Sequence, residues 1–236
     1  MSIRIEHTEV VGFEHAIRGM RNPLNSWDKS DSEWYWDGIK YDYSIGHNDL
    51  ELMKKLVKAG TDHRKFMRMI TVYVDVTAPM YWFKEMDTYK VGTVRNSCST
   101  MHKITEKEFT LDDFSREQLF THDFQSYDVY DNEEQFQVDF RASALEILNL
   151  TIQALNNYRK AWLNGNKTNK KLWWQLIQLL PSSYNQRATV QLNYAVLQNI
   201  YHSRRNHRLD EWRDFCRWIE TLPYSELITG GNADEM

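Results

Sequence analysis

Apolar and polar residues alternate over residues 3–10, where Ile3, Ile5 and Val10 fall among polar neighbours in the two-residue repeat of a strand. Residues 13–21 change to a helical spacing, which Asn22-Pro23 ends because a residue before proline is steered out of helical geometry. No period holds from 22 to 47. Asn-Pro, Asp-Lys-Ser-Asp-Ser and several Trp and Tyr predict a long irregular loop there, and loops of that length are often functional, so it is a candidate lid. The helical repeat returns with Leu50, Leu52, Met53, Leu56 and Val57 on one face, Asn48 as its expected cap and Gly60 as its stop.

Ile70, Val72, Val74 and Val76 are β-branched and alternate, which predicts a strand over 70–76; Pro79 then opens a helix carrying residues 81–89. Residues 91–103 are rich in Ser, Thr and Asn, which favour turns and caps. Residues 113–132 read as polar and irregular, and 133–164 as a long helix through Leu145, Leu148, Ile152 and Leu155. Further helices are expected over 168–180, 188–203 and 209–222, the first stopped by Pro181 and the last by Pro223. Residues 229–236 read as a frayed, disordered tail. With no internal repeat, the expected class is α+β: a mixed sheet with long helices and a helical C-terminal half, in one domain spanning 1–236.

Composition narrows the function classes. The chain has 236 residues, enough for a sizeable core, yet nine Trp, thirteen Tyr and ten Phe also suggest flat clefts or subunit contacts; a purely aromatic core stays open. A net charge of −4 argues against a general nucleic-acid coat, which needs a basic surplus to displace counterions. Cys98 and Cys216 build no disulfide framework, and no apolar leader or long apolar run occurs, so a soluble, reducing, cytoplasmic setting is expected, with no membrane partner.

Candidate chemistry sits in two stretches, 63–103 and 180–213, where polar residues interrupt an apolar framework. If 188–203 is helical, Asn193 and Arg204 fall ~20° apart on one face, with Asn199 offset by ~120°. Arg204, Arg205, His207 and Arg208 also fit a solvated basic helix end, or a weaker nucleic-acid reading. Cys98 lacks a His and Asp partner pattern and reads better as a small turn residue than as a nucleophile. No metal site is expected: the histidines are scattered, and His202 and His207, five residues apart, do not share a helix face.

At these residues the chain resembles the flavin-dependent thymidylate synthases. His63, Val76, Ala78 and Pro79 fall without a gap on that family's positions, and so do Leu180, Pro181, Asn193, Leu197, Asn199 and Arg204; the helix of Leu52 to Gly60 also fits, with a weaker echo at 16–32. The resemblance implies a homotetramer with active sites at subunit interfaces. FAD, reduced by NADPH, would pass hydride toward the uracil of dUMP while methylenetetrahydrofolate supplies the carbon, giving dTMP for nucleotide biosynthesis. It makes Arg204 the catalytic arginine. It places the flavin on His63, Asn193 and Asn199, with Tyr89 and Lys90 at the positions of a lost motif.

The departures from the family pattern are specific. Its Arg-His-Arg is Thr88-Tyr89-Lys90 here, the Gln before it is Glu85, and an arginine expected three residues before Leu180 is Ile177. Its nucleotide-binding turn falls on Asn96, Ser97, Cys98, Ser99 and Thr100, with Thr100 in place of the arginine that clamps the phosphate. Each lost charge-assisted contact removes roughly 1.5–3 kcal/mol unless Arg95, Lys103, Lys90 or Arg187 replaces it. The expected substrate-binding set is therefore Glu85, Arg95, Asn96, Ser97, Cys98, Ser99, Arg187 and Arg204. The alternative expectation is a non-catalytic or altered-substrate relative that still binds a pyrimidine nucleotide.

Overall fold

The computed structural model describes residues 3–121, 127–131, 134–138 and 142–230, the second and third of these segments as backbone. Strand β1 (Arg4–Val11) leads into α1 (Phe13–Arg21). The segment expected to be an irregular loop instead holds a hairpin, β2 (Glu33–Trp36) and β3 (Tyr41–Ser44). Its turn is built by Asp37, whose carboxylate accepts the backbone N–H of Ile39 and Lys40, and by Gly38 at φ 101°, an Asp-Gly turn between alternating aromatics. Trp34 faces Tyr43 and Trp36 faces Tyr41 across the strands, ring centres 5.2 Å apart in each pair.

Helix α2 (His47–Lys58) starts two residues earlier than a cap at Asn48 would place it, and Gly46 stands at the cap position. The Asp31 carboxylate accepts the N–H of Asn48 at 2.8 Å and of Asp49 at 3.1 Å, so a distant residue satisfies the helix end. Beneath it Arg21 and Asp49 form a buried pair at 2.6 Å, and Asp49 also accepts from Ser30, Ser32 and the Asp31 N–H. Burial alone would raise the Asp49 carboxyl; hydrogen bonds from Ser30, Ser32 and Arg21 hold it below its ordinary value instead. The stretch from 26 to 32 is thus pinned.

The chain continues through a 3-10 segment, Arg64–Met69, into β4 (Thr71–Pro79) and α3 (Met80–Met86); α3 stops before Thr88 and Tyr89, which were expected to be helical. Within the supposed turn region lie β5 (Val94–Ser97) and the single-turn α4 (Thr100–Lys103). Strands β6 (Tyr127–Asp131) and β7 (Glu134–Val138) pair where irregular chain and the start of a helix were expected. Helix α5 (Ala144–Asn164) begins only at Ser143, which forms a capping box with Glu146. Helix α6 (Lys170–Leu179) ends before Pro181 as expected.

The largest correction concerns residues 188–203. They are not one helix: β8 (Asn185–Asn193) is a strand, and α7 (Tyr194–Arg204) starts after it. Ala188, Val190 and Leu192 are buried while Arg187, Thr189 and Gln191 turn the other way, the strand period. Asn193 and Arg204 consequently do not share a helix face. Helices α8 (Asp210–Glu220) and α9 (Glu226–Thr229) follow, so Thr229 closes a helix rather than opening a tail; 231–236 lie outside the described residues.

The α+β chain divides into two compact units. One comprises Met1–Thr77, Trp82–Ser97 and Arg187–Met236, with a sheet in the order β1-β4-β8-β5 whose outer pairings, β1 with β4 and β5 with β8, are antiparallel. Val72, Val74, Val76, Val190 and Leu192 line its buried face, and the same core holds Met53, Phe66, Leu197, Trp212, Phe215 and Ile228. The second unit, Ala78–Tyr81 with Cys98–Gln186, is built on α5 and α6. Ile104, Phe109, Phe114, Leu148, Ile152, Leu155 and Leu176 form its core. The Asn156 amide bonds both backbone groups of Phe109, at 2.8 and 2.9 Å. Among the described residues no helix is long and apolar enough to cross a membrane.

Candidate functional site

Asn193 is where β8 becomes α7. Its backbone is still extended (φ −123°, ψ 165°), and its side-chain oxygen accepts the N–H of Val196 at 3.0 Å, the geometry of an N-cap. Eleven residues on, Arg204 closes α7 and meets the end of α3 and the first turns of α8.

There Arg204 Nη1 lies 2.8 Å from a Glu85 carboxylate oxygen, and its Nε–H donates to the Tyr89 hydroxyl at 2.8 Å. The guanidinium stands over the rings of Trp212, 4.9 Å to the centroid, and Tyr89, 5.7 Å. Glu85 also accepts from the indole N–H of Trp212 at 2.9 Å and has His207 Nε2 at 3.6 Å. Trp212 is fully buried, so Glu85 satisfies a donor that would otherwise be stranded. Arg204 has two of its five N–H donors engaged among the described residues and remains one-fifth exposed. The result is a cation fixed in plane, with one edge open to a flat acceptor.

Glu85, Tyr89 and Arg204 are therefore brought together. The other expected residues have partners or positions of their own. Arg95 reaches Asp87 through two bonds, 2.9 and 2.8 Å, and covers the Phe83 ring at 4.7 Å. Arg187 lies on the sheet's outer face, where it and Thr189 donate to Asp75 at 2.8 and 2.6 Å. A bulge between Glu6 and Glu9, with His7 at φ 53°, brings the His7 ring to 3.1 Å from the same carboxylate. Hydrogen bonds from Thr189, Arg187 and His7 lower the Asp75 carboxyl to about 2.

Asn96 and Ser97 are strand residues of β5, opposite Thr189 and Ala188. Cys98 is exposed, its carbonyl accepting from Gln186 at 2.7 Å, and Ser99 caps α4 by accepting from the His102 N–H. Lys90 and Asn199 are exposed, and His63 stands exposed before the 3-10 segment without capping it.

Trp212 and Arg64 carry no local signal of a site, and His207 and Arg205 read only as part of a basic helix end. Trp212 and His207 complete the shell around Glu85. Arg64 and Arg205 form a second cationic patch with His202, whose imidazole is held below its ordinary value by burial and then by those two charges. Neither Arg64 nor Arg205 has a carboxylate partner among the described residues, unlike Arg95, Arg187 and Arg204. Their position on 3-10 segment and helix end, which pack together, could be found only in the fold.

No protein-family model matches this sequence, and no curated protein does either. Solved structures match over nearly the full length. The flavin-dependent thymidylate synthase ThyX of Helicobacter pylori, complexed with FAD and dUMP, aligns with a TM-score of 0.63 and 16% identity, covering 98% of this chain and 99% of that one. The fold is that of the flavin-dependent thymidylate synthases. A second structure of the Helicobacter pylori enzyme with FAD and dUMP gives 0.62 at 18% identity, with 98% of each chain covered. The UMP/dUMP methylase PolB of Streptomyces cacaoi, bound with 5-Br dUMP, gives 0.57 at 15%, covering 97% of this chain and 95% of that one.

Proposed function

We propose that this chain is a flavin-dependent thymidylate synthase-like enzyme that reductively methylates dUMP to dTMP, with FAD as cofactor, NADPH as reductant and methylenetetrahydrofolate as carbon donor. The observation that carries the reading is Arg204, stacked on Trp212 and Tyr89 and tied to Glu85, with N–H donors to spare, in a chain folded like proteins complexed with FAD and dUMP.

Arg204 donates to a uracil carbonyl and stabilises negative charge as it develops on the pyrimidine. The two rings and Glu85 hold its plane beforehand, so little reorganisation is needed during reaction. Glu85, Arg95, Asn96, Ser97, Cys98, Ser99 and Arg187 are the residues assigned to the nucleotide, and Arg95 would exchange Asp87 for its phosphate. FAD fits the remaining groups: Arg64 and Arg205, cations without a carboxylate partner among the described residues, suit its pyrophosphate. His63, Tyr89, Lys90, Asn193 and Asn199 complete that side. Bound and reduced, FAD supplies the hydride. Subunit interfaces of a cytoplasmic homotetramer complete each site.

The test is tritium release from C5-labelled dUMP with FAD, NADPH and methylenetetrahydrofolate, beside the visible spectrum of the protein after incubation with FAD. Flavin uptake and release are expected, and Arg204→Ala is expected to slow release by about ten- to a hundred-fold, as loss of one charge-assisted contact implies. A protein that takes up no flavin and releases no tritium overturns the reading.

A further inference from the structure

The hairpin β2–β3, the junction of β1 with α1 and the segment Pro223-Tyr224 enclose a cavity of about 620 Å³, within the range that holds a whole small molecule. It shares no residue with the Arg204 cluster. Its walls are aromatic: Phe13, Trp34, Tyr35, Tyr41, Tyr43 and Tyr224. These rings brace one another, Trp34 edge-on to Tyr43 at 5.2 Å and Phe13 edge-on to Tyr224 at 5.3 Å, yet Trp34 is 54% exposed and Tyr41 70%.

Charge gives the cavity a sign. Its carboxylates are Glu9, Glu14 and Asp42; His15 also lines it, and no Lys or Arg does. Asp42 has Lys40 at 3.6 Å. Glu9 and Glu14 have no ion pair or hydrogen bond of their side chains among the described residues, although half-buried Glu14 is close enough to help raise the Tyr43 hydroxyl, after burial and Asp49. Two uncompensated carboxylates beside aromatic faces reject phosphates and favour a positive ligand, because ring quadrupole and carboxylate attract the same sign.

We infer that this cavity binds a small organic cation, a substituted ammonium seated against the ring faces of the hairpin with Glu9 and Glu14 as its counter-charges. The inference goes beyond the proposed reaction and does not depend on it.

Titration calorimetry with choline and with its neutral carbon isostere 3,3-dimethylbutanol tests it on the full chain. Choline is expected to bind at least ten-fold tighter than the isostere. Glu14→Gln, a change that keeps size and removes charge, is expected to weaken choline at least five-fold while leaving the isostere unchanged, which separates loss of charge from loss of fold. Glu9→Gln should act in the same direction. Equal affinity for the two probes, or undiminished choline binding in both variants, overturns the inference. So does hydroxyl-radical labelling in which Trp34 and Tyr41 become protected as protein concentration rises, since a second copy then covers the face.

Discussion

Single residues in this chain do two kinds of electrostatic work. Glu85 is the acceptor for a cation and for a fully buried indole N–H at once, so the same carboxylate that orients Arg204 keeps Trp212 satisfied. Arg204, Glu85 and Tyr89 were legible as candidates because each falls on or beside a family position, and the fold brings them together. Trp212 was not, since an aromatic at helical spacing looks like core, and it is core as well as site. Asp75 shows the second kind. Its carboxyl is held down at about 2 by Thr189, Arg187 and His7, so its contribution is present above the ordinary carboxylate value near 4 and is lost as pH falls toward 2. Thermal midpoints measured from pH 6 to pH 2 should therefore fall more steeply below pH 4 for the wild type than for Asp75→Asn. Parallel curves would mean that the three donors do not act on this carboxylate.

At the scale of elements, the strand–helix junction at Asn193 is the instructive case. Residues 188–203 carry apolar side chains whose spacing fits a helix from Tyr194 onward, and extending that period backward swallows β8. Alternation of Ala188, Val190 and Leu192 with Arg187, Thr189 and Gln191 was the competing signal, and pairing with β5 decides it. The hairpin β2–β3 carried its own mark, Asp37-Gly38 between alternating aromatics, hidden among the polar residues that precede it. The cap of α2 could not be read at all, because Asp31 supplies it to N–H groups seventeen and eighteen residues away in the chain. If Asn193 is a cap rather than a mid-helix residue, Asn193→Ala should cost about 1 kcal/mol in denaturant unfolding, and Asn193→Asp should largely restore it. A neutral alanine would mean that the Val196 N–H finds another acceptor. Gly92, at φ 80° with the Asn193 amide 2.5 Å from where a Cβ would sit, lets that loop pass this close to the cap.

For the whole molecule, the high aromatic content divides between two uses. Trp82, Trp212 and Trp218 are buried, whereas Trp27, Trp34, Trp36 and Trp174 are exposed. On α5, Ile147 and Leu150 lie three residues apart and hence on one face, 41% and 60% exposed, while Leu148, Ile152 and Leu155 on the other side fill the core. Among the described residues only one of this helix's two apolar faces is packed, which makes the other a candidate contact with a second chain. Assembly into the proposed tetramer would cover it and bring residues of a second copy to sites that one copy leaves open, as at the free edge of Arg204. Native mass should then be about 113 kDa, four copies of the 28.3 kDa chain. Leu150→Lys, which places a charge on that face and leaves the α5 core side untouched, should yield smaller species with an unchanged far-ultraviolet spectrum. A wild-type mass of a single chain would remove the assembly from the proposed mechanism, whereas a Leu150→Lys protein that stays tetrameric would keep the assembly and move its contact away from α5.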